Sequence, residues 1–65
     1  MRVYKRGGQL IVQKGTREMA FDIEHLKQLS ESSPFFAIAR VNVLAGEELG
    51  ETLPMSEIEQ ILDML

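Results

Sequence analysis

The amino-acid sequence predicts a small α+β domain in the order β-β-β-α-β-α, with two short helices packed on one face of a mostly antiparallel sheet. Two glycine-containing turns separate short apolar segments near the N-terminus, two later segments have helical spacing, and 65 residues leave room for one core. The predicted divisions are a basic β-meander at 1–22, a helix at 23–31, a strand at 35–45, an acidic loop at 46–55 and a C-terminal helix at 56–65.

The first 22 residues have the pattern of three antiparallel strands. Gly7 and Gly8 supply the positive φ values that a tight hairpin turn requires, and a second turn follows at Gly15. After that turn, Met19 and Phe21 lie two residues apart and therefore share one side of a strand.

A helix and a fourth strand are predicted next. Asp22 suits a helix N-cap because its carboxylate accepts free backbone N–H groups of the first turn. Pro34 ends this helix, since the residue before proline is pushed towards extended geometry. Alternation at the end of the 35–45 segment predicts a strand. A helix that begins at Pro34 is the rival interpretation, disfavoured by β-branched Val41 and Val43.

The C-terminal segment has the clearest helical pattern. Ser56 and Glu59 match a capping box, and apolar residues recur at helical spacing. This apolar face is wider than one buried side needs, so part of it is expected to continue into a partner, although packing on its own sheet explains much of it. The predicted interface consists of Leu53, Met55, Ile58, Ile61, Leu62 and Leu65.

Charge is distributed unevenly along the chain. The net charge is −3, but six of the seven basic residues lie within the first 27 positions, and seven of the ten acids follow them. A basic hairpin with one tyrosine favours contact with nucleic-acid phosphates and bases. The candidate contacts are Arg2, Tyr4, Lys5, Arg6, Lys14 and Arg17. Against this, the sequence pI is about 5.0, whereas nucleic-acid-binding domains are commonly basic.

The residue inventory argues against several chemistries. Without cysteine the chain forms no disulfide and no thiolate zinc site, and His25 is its one histidine. No sequence feature pairs a serine with His25, and the acidic loop lacks the spacing of a calcium loop. We therefore predict no catalytic residue, cofactor or metal. The longest apolar run is five residues, and the start lacks a signal-peptide pattern, so we expect a cytoplasmic protein with no membrane contact.

These observations predict a small non-enzymatic regulatory module that acts as a homo-oligomer and binds a protein partner. The small core needs support that disulfides do not supply, and self-association is one remaining source. The basic hairpin of one copy is expected to meet the acidic loop or last helix of another. Nucleic-acid binding through the hairpin is the alternative function.

Overall fold

The computed structural model describes residues 1–65, and it confirms the α+β class. The chain forms three strands followed by helices, one short stretch of which is π-helical. The elements are β1 (Arg2–Arg6), β2 (Gln9–Lys14), β3 (Arg17–Asp22), α1 (Ile23–Ser32), α2 (Pro34–Leu44), a π-helical segment (Ala45–Leu49) and α3 (Met55–Leu62). None of the helices is both long and apolar enough to cross a lipid bilayer.

The predicted meander is confirmed. The strands pair antiparallel in the order β1-β2-β3, and each connection is a two-residue turn. Gly7 and Gly15 each occupy the first turn position, with φ of 61° and 63°. No positive φ occurs at the second turn position, which is the pattern of type II′ turns that match the twist of paired strands.

The sheet has an inner face against the helices and an outer face turned away from them. Side chains alternate between the two faces along a strand, so every second residue points to the inner face. The buried apolar residues on that face are Leu10, Val12, Met19 and Phe21. They join residues from all three helices and the two segments between α2 and α3 in one core.

The first helix follows the sequence prediction closely. Asp22 is its N-cap, and one carboxylate oxygen (Oδ1) accepts a hydrogen bond from the backbone N–H of His25 at 2.9 Å. The helix ends at Ser32, one residue beyond the predicted end, and Leu26 is buried in the core.

The strand predicted at 35–45 is wrong, because the chain forms α2 there. Ser33 is the N-cap, its side-chain oxygen accepts from the backbone N–H of Phe35 at 3.3 Å, and Pro34 occupies the first turn. Proline at this position removes an N–H that has no helical partner in any case, so it starts a helix as well as ending one. The low helix propensity of valine amounts to only ~0.7 kcal/mol or less per residue, which burial of Val41 outweighs.

The predicted loop at 46–55 is also shorter than expected. The π-helical segment continues α2, and Gly50 ends it in the left-handed conformation with φ 70°. The predicted capping box of α3 does not form: α3 begins at Met55, with Pro54 as an N-cap that makes no side-chain hydrogen bond. Ser56 therefore lies inside the helix, which ends at Leu62 and not at residue 65.

Candidate interaction surfaces

The outward side of α2 exposes apolar side chains. Five large apolar residues of the chain are exposed, and three of them belong to this helix. Phe35 is 76% exposed, Phe36 56% and Val43 52%. Large aromatic groups left in water are informative, because a monomeric domain normally buries them.

The opposite side of α2 is apolar as well. Ala37, Val41 and Leu44 follow at i, i+4 and i+7, and all three are buried in the core. A helix with apolar residues on two opposite sides is typical of a position that is covered on both sides. In this fold, the second side of α2 has no covering element within the chain.

The exposed residues form a continuous stripe on α2. Phe36, Ala39 and Val43 lie at i, i+3 and i+7, with Phe35 beside the first of them. We call these four residues the α2 stripe. A buried aromatic side chain covers 150–250 Å², so the stripe offers on the order of 300 Å² of apolar surface. That area falls within the range of patches that are often functional on single domains.

The predicted α3 interface lies largely inside the monomer. Leu53, Ile58 and Ile61 are buried members of the core, so a partner has no access to them while the chain is folded. Leu62 and Leu65 are partly buried against the same core. Met55 alone among the six is an exposed large apolar side chain. Most of the apolar face of α3 therefore serves internal packing, as a small core requires.

A polar network covers part of the outer face of the sheet. The Arg2 guanidinium carbon lies 4.7 Å from the centre of the Tyr4 ring, a cation–π contact. The Gln13 side-chain amide donates to the Tyr4 hydroxyl at 3.2 Å and to Glu18 at 3.1 Å. This network reaches across all three strands and fixes the Tyr4 ring against the sheet.

The same face also buries one apolar side chain. Ile11 is fully buried although it points away from the helices, with Tyr4 and Ala20 as its cross-strand neighbours. Arg6 on β1 pairs with Glu18 on β3 at 3.8 Å, so the ion pair crosses β2 over Ile11. Both partners are about half exposed, and such pairs contribute little stability on their own.

The six predicted nucleic-acid contacts do not form one surface. Strand alternation divides them between the two sides of the sheet. Arg2, Tyr4 and Arg6 lie on the outer face, whereas Lys5, Lys14 and Arg17 lie on the inner side. In addition, the Tyr4 ring already has a cation against it, and Arg17 lies so near Gly50 that a Cβ there would be 2.7 Å from its Nη1.

Lys14 is bound within its own chain. Its ammonium nitrogen lies 2.7 Å from carboxylate oxygens of both Glu51 and Glu57. These hydrogen bonds, with Glu51 contributing most, raise the pKa of the Lys14 ammonium above its ordinary value of 10.5. Lys14 therefore contacts the acidic segments of its own chain, whereas the predicted contact is with those of another copy.

The pockets in the surface are small and are lined by both polar and apolar residues. A cavity of about 80 Å³ is bordered by Asp22, His25 and Arg40, where the sheet meets α1 and α2. A wider, open depression of about 370 Å³ lies between α1 and the C-terminal residues. No group of three or more acidic or histidine side chains is arranged to hold a metal ion.

The α2 stripe was missed from the sequence because residues 35–45 were interpreted as a strand. The signal was present in Ser33 and Pro34, which together form a standard helix start. Once residues 34–44 are placed on a helix, spacing alone assigns Phe36 and Val43 to the side opposite Val41.

Comparison with known proteins adds no assignment. No family model, curated protein or solved structure matches this chain.

Proposed function

We propose that this protein is a small non-enzymatic interaction module that self-associates through the α2 stripe and offers its remaining surface to a protein partner. The observation that carries the proposal is the exposure of Phe35, Phe36 and Val43 on a helix whose other side already fills the core. A second copy supplies an identical apolar stripe, so a two-fold contact covers both at once.

The size of the stripe favours a weak dimer. Two stripes together bury roughly 600 Å² of apolar side chain, which at ~25 cal/mol/Å² is a gross gain of about 15 kcal/mol. Loss of translational and rotational freedom offsets about 4–15 kcal/mol of that gain. We therefore expect a dissociation constant in the range of roughly micromolar to millimolar.

Spacing within the stripe favours an antiparallel arrangement. Phe36 and Val43 are exposed and lie about two turns apart along α2. In a two-fold contact, residue i of one copy meets residue j of the other, and j meets i. Antiparallel pairing about the middle of Ala39 and Arg40 therefore places Phe36 opposite Val43 of the second copy, twice.

Sedimentation equilibrium tests the self-association. Wild-type protein should shift from 7.4 kDa towards twice that mass as its concentration rises from about 10 μM to about 1 mM. Phe36→Asp should remain at the monomer mass over the same range. An acidic residue in the first turn of a helix is favourable, so this variant should keep its fold. Gln28→Asp, at an exposed position on α1, is the matched control and should associate like wild type.

An introduced charge pair tests the arrangement. Val43→Lys should weaken the dimer, and the double variant Phe36→Asp/Val43→Lys should restore part of the association that Phe36→Asp loses, because antiparallel pairing sets the carboxylate introduced at position 36 of one copy opposite the ammonium introduced at position 43 of the other. Wild-type protein that stays monomeric at about 1 mM contradicts the proposal as a whole. Failure of the double variant to restore association contradicts the antiparallel arrangement alone.

Nucleic-acid binding is the weaker alternative. Its six candidate residues are divided between two faces, and Lys14 among them is already paired with two carboxylates. The test is titration with single-stranded and double-stranded DNA and RNA at low salt. Affinity that falls steeply with salt and is lost in Lys5→Glu/Arg6→Glu would favour this alternative.

A further inference from the structure

β1 is an open edge of the sheet. It pairs with β2 on one side and with no strand on the other. The two-residue turn makes Arg6 and Gln9 a hydrogen-bonded pair, and hydrogen-bonded pairs then alternate along the two strands. Tyr4 and Arg2 therefore also point their backbone groups at β2. The N–H and C=O groups of Val3 and Lys5 point the other way, towards the open edge.

The side chains of this edge are strongly basic. Arg2, Lys5 and Arg6 are all exposed, and only Arg6 has an acidic partner, at 3.8 Å. On the outer face, Tyr4 lies between the two arginines and presents a half-buried ring. The edge thus combines free backbone hydrogen-bonding groups with three positive charges and one aromatic surface.

The charges decide which strand can pair here. Two copies of β1 that met antiparallel about Tyr4 would place Arg2 of each copy opposite Arg6 of the other. Like charges directly opposite each other destabilise a strand pair, and charged edges are a common protection against edge-to-edge association. Pairing of β1 with β1 of a second copy is therefore unfavourable. An acidic strand, in contrast, forms both the backbone hydrogen bonds and favourable charge pairs with β1.

We propose that β1 binds an extended acidic segment of a partner protein, which adds to the sheet as an antiparallel fourth strand. Read from its N-terminus, the segment carries residues opposite Arg6, Lys5, Tyr4, Val3 and Arg2. Charge and apolarity at those positions select the order acidic, acidic, apolar, apolar, acidic. This binding surface is separate from the α2 stripe, and strand addition does not depend on self-association through α2.

A designed peptide tests the strand addition. The probe is the blocked, fluorescently labelled peptide Thr-Glu-Glu-Ile-Val-Glu-Thr, and binding is followed by fluorescence anisotropy at low salt. Its second glutamate and its valine are the residues that donate N–H groups to β1. Backbone N-methylation of those two residues should weaken binding about tenfold or more, because both hydrogen bonds are lost. N-methylation of the first glutamate and the isoleucine, whose N–H groups face solvent, should leave affinity within about threefold.

Variants of the protein test the charges. Arg2→Glu/Arg6→Glu should abolish binding of the unmodified peptide, whereas Lys27→Glu/Arg40→Glu, the same change of net charge on the helices, should retain it. Phe36→Asp should also retain it, which separates this proposal from self-association.

Three outcomes would overturn the strand addition. They are absence of binding at about 1 mM peptide, equal weakening by the two N-methylation patterns, and equal affinity for an oligothymidylate. The last two would reveal a general polyanion surface in place of a fourth strand.

Discussion

The helices α2 and α3 differ in how much of their apolar surface is buried. On α3, Ile58 and Ile61 are buried in the core, while the charged and amide side chains of Glu59 and Gln60 face solvent. On α2, one apolar set fills the core and a second set, which includes Phe36, stays in water. The number of apolar residues on a helix therefore does not locate an interface. An interface is indicated where an apolar side of the helix is left uncovered by the rest of the fold.

The position of each helix explains the difference. α2 packs against α1 and α3 and continues into the π-helical segment, and its core residues Ala37, Val41 and Leu44 share one side of the helix. α3 packs most of its apolar residues into the core, with Ile58 and Ile61 buried and Leu62 partly buried. None of the elements of the fold lies over the outer side of α2, where Phe35, Phe36 and Val43 are exposed.

The largest effect is expected when the apolar side of α3 is broken. Ile61→Asp places a carboxylate in the core, where it has no partner, and the penalty of several kcal/mol is comparable with the whole stability of about 3–10 kcal/mol expected for this length. Circular dichroism should show an unfolded chain at 25 °C. Gln60→Asp, one position away and exposed, is the control; its carboxylate lies in the last turn of the helix and should lower stability by only about 1 kcal/mol or less.

An Ile61→Asp protein that stays folded and only loses self-association would contradict this assignment. That result would assign Ile61 to an intermolecular interface, and α3 would then no longer differ from α2.

A smaller effect separates the two sides of α2. Val41→Ala removes two methyl groups from the core and should lower the free energy of unfolding by about 1–3 kcal/mol. Val43→Ala removes the same groups from the exposed side, and because alanine is the better helix former it should be neutral or stabilise by a few tenths of a kcal/mol. Urea unfolding of dilute samples measures both. Equal losses in the two variants would show that Val43 is covered within the monomer.

Much of the sheet could be predicted from the sequence because its determinants are local. Gly7 and Gly15 fix the turns, turn length fixes the register, and alternation then assigns Met19 and Phe21 to the inner face. The N-cap at Asp22 is equally local. None of these features depends on contacts with distant parts of the chain.

The region after Ser33 was harder, because its determinants are tertiary. Alternating apolar residues around Val41 fit a strand and a buried helix alike, and only packing against the sheet decides between them. The apolar width of α3 predicts an interface from the sequence, but spacing alone does not show that Leu53 and Ile58 are buried within the monomer. The intramolecular pairing of Lys14 with Glu51 and Glu57 likewise joins residues far apart in the chain.

The smallest effect concerns how α3 is held at its start, where no side chain caps the helix. Lys14 links the end of β2 to Glu57 in the first turn of α3 and to Glu51 before it. Because the pKa of the Lys14 ammonium is raised in the folded chain, its contribution to stability is fully present below the ordinary value of 10.5. It is lost as pH rises through the raised value, since deprotonation removes the charge that both carboxylates contact.

Melting temperatures of wild type and Lys14→Gln test this directly. Wild type should melt higher at about pH 8, and the gap should narrow as pH is raised above the ordinary lysine pKa of 10.5. Lys5→Gln, which removes an exposed lysine with no carboxylate in contact, should show no such gap. The side chain of Lys14 is 30% exposed, so added salt should also narrow the gap at pH 8. A gap that persists unchanged at high pH and in high salt would mean that Lys14 supports α3 through its aliphatic stem, and that the missing N-cap is replaced by packing and not by charge.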